Sequence, residues 1–204
     1  MNRRNFIITT GILSSFTGLA SSLLGENSTT LTSDPLNPVL LPALLPLEHN
    51  GGLTIRTRIS SKMTNGLYSN VETAVAPKTM GPPPHLHKEL DELMYVQEGT
   101  ASILIGDEIV EVGAGGWHLR PRLIKHTFWN GSDVPLRFID MYFNQPFEEY
   151  LERIFHELTE EHGFKEGSEE KIREINLLNE KFGVVFPTDA FEQQTEIMKR
   201  FTLK

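Results

Sequence analysis

The sequence contains no cysteine in 204 residues. A disulfide framework, a thiolate metal site, a cysteine nucleophile and an N-terminal lipoprotein anchor are thereby excluded. Basic residues are also in deficit: 19 Lys and Arg face 27 Asp and Glu, for a net charge of −8. An acidic chain has no electrostatic hold on nucleic acid or on an anionic membrane surface. What remains is ordinary for a soluble globular protein, 39% hydrophobic and 23% charged. The length suits one domain with a real core, or one domain plus an appendage. There is no internal repeat.

The first 25 residues read as a signal peptide. A short basic head, Arg3 and Arg4, precedes an apolar stretch from Phe6 to about Leu24, with no acid before Glu26. The arginine pair with Phe6 following resembles the twin-arginine export signal; an ordinary secretory signal with incidental arginines is the alternative. Export to the periplasm or the extracellular space follows from either. The mature form is expected to have no membrane attachment. Residues 26–50 carry prolines at 35, 38, 42 and 46, a density that bars helix and central strand. This segment is expected to be an extended arm on the domain surface.

From residue 51 to 145 the pattern is one of short β runs broken by Gly, Pro, Asn and Asp. Eight such runs, from LTIRTRIS to LRFIDMYFN, with no helix between them predict an all-β sandwich or barrel. Residues 146–204 switch period. Phe147, Tyr150, Leu151, Ile154, Phe155 and Leu158 form a helical stripe ended by Gly163. A second helix is expected from Ser168 as N-cap, burying Ile172, Ile175 and Phe182. A third is expected near Asp189, with Glu192 completing a capping box and Phe191, Met198 and Phe201 on its apolar side. This tail, packed on or beside the barrel, holds most of the negative charge, which solvated outer helix faces explain.

The chemistry-bearing stretch is HLHKELDELMYVQEG, residues 85–99. His85 and His87 are two apart, so on a strand both leave from one face. Paired imidazoles suit a borderline metal ion. GPPP, immediately upstream, places them at a loop entry or sheet edge. An unbroken strand would add Glu89 and Asp91 to the same face. KELDE is a poor strand, however, and a turn there would reset the alternation and bring Glu92 to the start of the next one. The residues alone leave the carboxylate undecided, with Glu92 modestly ahead of Glu89. Downstream, HTFWN puts His126, Phe128 and Asn130 on one face.

These residues and their spacing resemble the cupins. His85-Leu-His87, four residues, Glu92, six residues and Gly99 match the first cupin motif, and Gly113, Pro121, His126 and Asn130 match the second. The wider text is similar to small single-domain cupins of the quercetin dioxygenase-like kind, over roughly Leu53 to Asn144. The resemblance implies a cupin-type double-stranded β-helix, or jelly-roll barrel, with a C-terminal α-helical appendage. It also implies that His85, His87, Glu92 and His126 ligate one divalent transition metal ion (Fe, Mn, Ni, Cu or Zn), with Asn130 structural. Two departures stand out. Three residues separate Gly81 from His85 where the motif has five. Leu123 stands where the motif has Gly, so its turn must avoid positive φ or tolerate strain.

Alternation from Glu92 directs Met94 and Val96 inward, and from His126 it directs Phe128 inward. Trp117 and Tyr142 are further candidates for the lining, which would suit a flat or hydrophobic small molecule. His118 and Arg120 either orient an anionic substrate or face solvent. The resulting expectation is an exported mononuclear metal-binding protein, a dioxygenase-type enzyme acting on a small organic substrate. A non-catalytic small-molecule or sugar-binding module and a metal-dependent isomerase or lyase are the alternatives. A homodimer is possible, as cupins commonly dimerise.

Overall fold

The computed structural model describes residues 35–204; the expected signal peptide and the first part of the expected arm lie outside the described residues. Eleven strands and three α-helices follow in order: β1 Leu53–Ile59, β2 Tyr68–Val75, β3 Thr79–Met80, β4 Leu86–His87, β5 Asp91–Glu98, β6 Thr100–Ile105, β7 Glu108–Gly113, β8 Trp117–Arg120, β9 His126–Asn130, β10 Leu136–Phe143, α1 Phe147–Glu152, α2 Glu169–Phe182, β11 Val184–Val185 and α3 Ala190–Phe201. All eight sequence-predicted β runs are strands.

The strands form two antiparallel sheets, ordered β1-β2-β10-β5-β8 and β3-β9-β6-β7, plus a two-stranded pair β11-β4. The fold is therefore a cupin-type β-barrel with a C-terminal helical appendage. Alternation builds its core. On β5, Glu92, Met94 and Val96 are buried while their neighbours are not, and on β10 the buried set is Leu136, Phe138, Asp140 and Tyr142. One end of the barrel is filled by Val75, Met94, Val96, Ile103 and Phe138. At the other, Val71, Leu90 and Tyr142 pack against Phe147, Leu158, Leu178 and Phe182 of the appendage.

Residues 36–49 run extended without regular structure. Their carbonyls are met by arginines of the large sheet: Arg58 donates to Pro42, Arg56 to Leu45 and Arg137 to Leu47. Prolines cannot supply ladder donors, so the arm docks through its acceptors.

The appendage departs from expectation in detail. Ser168 does cap α2, its Oγ accepting from the Lys171 N–H. Phe182 is buried as expected and Ile175 packs against the core, but Ile172 is 50% exposed, the helix turning Leu178 inward in its place. Asp189 precedes α3 but its side chain caps nothing, and the capping box does not form. Phe191 is 66% exposed, its ring stacked on that of Phe186. After α1 the chain continues as a π-turn, Arg153–Glu157.

Candidate metal centre

Three backbone arrangements bring the histidines together. His85 and His126 face each other across an antiparallel bridge, exchanging N–H to carbonyl bonds of 3.0 and 2.8 Å. His87 ends β4, whose outer side is closed by β11: Val184 pairs with His87 and Val185 with Leu86. A turn over 88–90 then separates β4 from β5 and resets the alternation. Glu92 consequently points inward, Glu89 is exposed, and Asp91 faces out to bind Arg122.

Local choices support this arrangement. Gly81 lies so close to β9 that a Cβ there would come 2.4 Å from the Phe128 carbonyl oxygen, so no side chain fits. Leu123 adopts φ +65°, resolving the second departure in favour of strain: a leucine takes the left-handed position that suits glycine. Its N–H is satisfied by the His87 carbonyl at 2.8 Å, which ties the turn before His126 to the strand carrying His87. Asn130 is structural: its amide donates to the carbonyls of Val75, Ala76 and Val134.

One nitrogen each from His85, His87 and His126 lies within 4.8 Å of the others, all three residues being buried. The Nδ1 of His85 sits 2.8 Å from the Pro83 carbonyl, and that of His126 sits 2.9 Å from the Ile124 carbonyl. A carbonyl only accepts, so both Nδ1 atoms carry the hydrogen and both Nε2 lone pairs are free. The His126 Nε2 and both His87 nitrogens are buried with no hydrogen-bond partner. Such orphaned lone pairs are costly unless something accepts them, and a metal ion is what three converging imidazoles fit. Glu92 lies beside this group. Its oxygens are 3.1 Å from His87 Nε2 and 3.3 Å from His126 Nε2, near but without hydrogen-bond alignment.

The electrostatics agree with a ligand set. Burial, reinforced by His126 and His87, pushes the His85 pKa down from 6.5 to about 3, so the ring is neutral. Burial pushes the Glu92 carboxyl up, but Arg120, His87 and His126 outweigh it and hold the group well below its usual range, ionised.

Arg120 is the residue whose role the sequence left open. It is buried, its Nε 3.1 Å from Glu92 and its Nη2 bonded to Asp140. It is closed off from bulk solvent and, at the cavity wall, clamps two carboxylates. Asp140 went unnoticed in the sequence. Burial pushes its carboxyl up despite Arg120, and its other oxygen lies 3.4 Å from the Tyr142 hydroxyl. The signal was there to read: in LRFIDMYF, Asp140 is the lone acid on the face shared by Leu136, Phe138 and Tyr142. Half-buried His118 is held below its usual pKa by burial and then by Arg120.

The site opens on a cavity of about 280 Å³. Its barrel side presents Ile55, Thr73, Phe128, Asp140 and Tyr142 beside His85 and Glu92; its other wall comes from the appendage, with Phe147, Tyr150, Ile154, Phe155 and Phe186. Phe128 and Tyr142 line it as expected; Met94 and Val96 point inward but fill the barrel core instead, and Trp117 is not part of the lining. It is 53% exposed on the outer face of the sheet, its ring tilted against that of Tyr95 at 4.5 Å. The appendage also touches the ligand candidates themselves. The Phe147 ring meets His87 edge-on at 4.9 Å, and Phe186 lies 5.7 Å from the His85 ring.

Among solved structures, the chain is similar to KdgF from a Halomonas species (18% identity, 47% of this chain and 79% of that one, TM-score 0.41). It is also similar to the polyketide cyclase RemF from Streptomyces resistomycificus (28% identity, 46% and 67%, TM-score 0.41). A third is a predicted oxalate decarboxylase from Thermotoga maritima (15% identity, 45% and 79%, TM-score 0.43). None of the curated proteins matches this chain. Residues 71–142, the stretch that carries His85, His87, Glu92 and His126, match the model of the cupin domain.

Proposed function

We propose that this protein is an exported, mononuclear metal-dependent enzyme acting on a small, largely apolar organic molecule, with oxygenation as its reaction. One observation carries the reading: three buried imidazoles and an ionised carboxylate converge at the wall of an apolar cavity. His85, His87, His126 and Glu92 would hold a divalent transition ion (Fe, Mn, Ni, Cu or Zn). Such an ion supplies Lewis acidity and, if redox-active, a path for electrons to dioxygen. The leader with Arg3 and Arg4 supports export to the periplasm or beyond.

The protein's own residues have distinct tasks in this reading. Phe128, Phe147 and Phe186 hold an apolar substrate and keep water out. Arg120 holds Glu92 ionised and in place. The cavity is too small for a macromolecule, so the partner is a small molecule.

A second reading, isomerisation or elimination without oxygen, is favoured by the polar strip of Thr73, Asp140 and Tyr142 on the cavity wall, where a proton could be held. Protein reconstituted with each metal in turn, and offered aromatic and carbonyl substrates with and without oxygen, separates the two. Oxygen uptake matched to substrate loss supports oxygenation; turnover that persists anaerobically supports the second reading. Stoichiometric metal with neither outcome, together with ligand affinity that survives His87→Ala and His126→Ala, would leave a binding module and overturn both.

A further inference from the structure

Three asparagines in the chain are followed by glycine: Asn50-Gly51, Asn65-Gly66 and Asn130-Gly131. Such a pair is chemically distinctive, because glycine has no Cβ to shield its amide nitrogen from the asparagine side chain one residue back. The nitrogen can close a five-membered ring on that side chain when the asparagine is free to move and the amide can give up its proton. The structure sets the three pairs apart.

Asn130 is locked. It is fully buried, its amide held by the carbonyls of Val75, Ala76 and Val134 and its oxygen by the N–H and hydroxyl of Ser132. Asn50 and Asn65 are both exposed, in the left-handed conformation that asparagine tolerates, at φ +49° and +51°. They differ in what the next amide touches. The Gly66 N–H donates to the Ser61 carbonyl at 2.8 Å, and a carbonyl oxygen is too weak a base to take the proton. The Gly51 N–H donates instead to Nδ1 of His49, at 3.0 Å. As an acceptor that nitrogen carries a lone pair, and imidazole is the side chain best suited to general-base work near neutral pH. There is room as well: apart from its chain neighbours, nothing lies within 4 Å of where a Cβ on Gly51 would sit.

We propose that Asn50 is a site of spontaneous covalent modification, converted to aspartate and isoaspartate with His49 as the general base. The Gly51 nitrogen bonds to Asn50 Cγ while its proton passes to His49 Nδ1. The Cγ–Nδ2 bond then breaks, and ammonia leaves with the proton that His49 returns. Water adds to either carbonyl carbon of the resulting succinimide; which C–N bond breaks decides between aspartate and isoaspartate, and nothing is oxidised or reduced. The position gives the change a structural consequence. The His49 carbonyl accepts from the Gly52 N–H at 2.9 Å in the turn that joins the arm to β1, and the carbonyls just before it, of Leu47 and Glu48, are held by Arg137 and Thr54. Conversion places a carboxylate in that turn, and the isoaspartyl form also lengthens its backbone by one methylene.

The folded wild-type protein tests this without mutation. After weeks at neutral pH and body temperature, peptide mapping by mass spectrometry should find Asn50 converted at least about tenfold faster than Asn65, with Asn130 intact. His49→Gln keeps a hydrogen-bond acceptor but removes the base, and should slow Asn50 to about the rate of Asn65, whose own rate stays the same as the internal control. Unfolding in urea breaks the contact between His49 and Gly51 and should remove most of the difference between the two sites. Metal content per chain should be unaffected by His49→Gln, so this inference can fail while the metal site stands, and the reverse. Equal rates at Asn50 and Asn65 in the folded protein, an Asn50 rate indifferent to His49→Gln, a full difference that survives in urea, or an Asn50 left intact would each overturn it.

Discussion

Replacing Arg120 with methionine is the most informative perturbation of the site's support. The side chains are of similar length, so the change removes charge rather than volume. Arg120 is 2% exposed and stands between Glu92 and Asp140, themselves 4% and 3% exposed. Without it, two like charges share one dry pocket. Removing one partner of a buried ion pair costs roughly 3–5 kcal/mol. In a domain of this size each kcal/mol moves the melting midpoint by roughly 2–4 °C, so the metal-free variant should melt roughly 6–20 °C below wild type at pH 7. The pH dependence has a definite sign. Burial already raises the Asp140 carboxyl above 3.8, and losing Arg120 raises it further. A raised carboxyl contributes stability at low pH that disappears as pH rises through its folded value, so the gap should narrow at pH 5. Adding Asp140→Asn removes the second charge and should recover part of the loss, making the pair of substitutions non-additive by about 1–3 kcal/mol. Thermal melts by circular dichroism on chelator-treated protein measure all of this. A variant melting within 2 °C of wild type, or a double variant that loses the full sum, would refute the view of Arg120 as a clamp.

Other consequences are equally concrete. Because His85 titrates at about 3 when folded and 6.5 otherwise, the unfolded chain binds more protons between those values. Stability of the metal-free protein should therefore be fullest above pH 6.5 and fall as pH drops toward 3; a flat profile of melting midpoint against pH from 7 to 4 would contradict it. Gly81→Ala drives a Cβ into the Phe128 carbonyl, and overpacking of this kind costs about 1–3 kcal/mol in a denaturant melt. Phe147→Ala empties a buried ring beside His87, for a loss of about 3–5 kcal/mol, while saturating metal should still bind one ion per chain by calorimetry.

Much of the barrel was legible because its signals are local. Turn residues punctuate the eight long strands, and alternation names their inward faces. The two-residue strands β3, β4 and β11 carry no periodicity, and β11 forms only because tertiary packing brings Val184 to His87. The histidines were legible through spacing, and the choice of Glu92 over Glu89 turned on a break after β4 that residue types alone left open. Asp140 could have been read from its place on an apolar strand face, but Arg120 needed a third dimension: its role is open until β5 lies between β8 and β10 and brings Glu92 beside it. Trp117 misled because an aromatic at a strand start suits either face, and here the outer one won.

The central claim is that His85, His87, Glu92 and His126 meet around one ion. Metal content of the purified protein, set against that of a His87→Ala, His126→Ala double variant prepared identically, tests it most directly. One transition-metal ion per wild-type chain and almost none in a folded double variant is the predicted result. Equal metal in both, or none in wild type after incubation with each candidate ion, would contradict it.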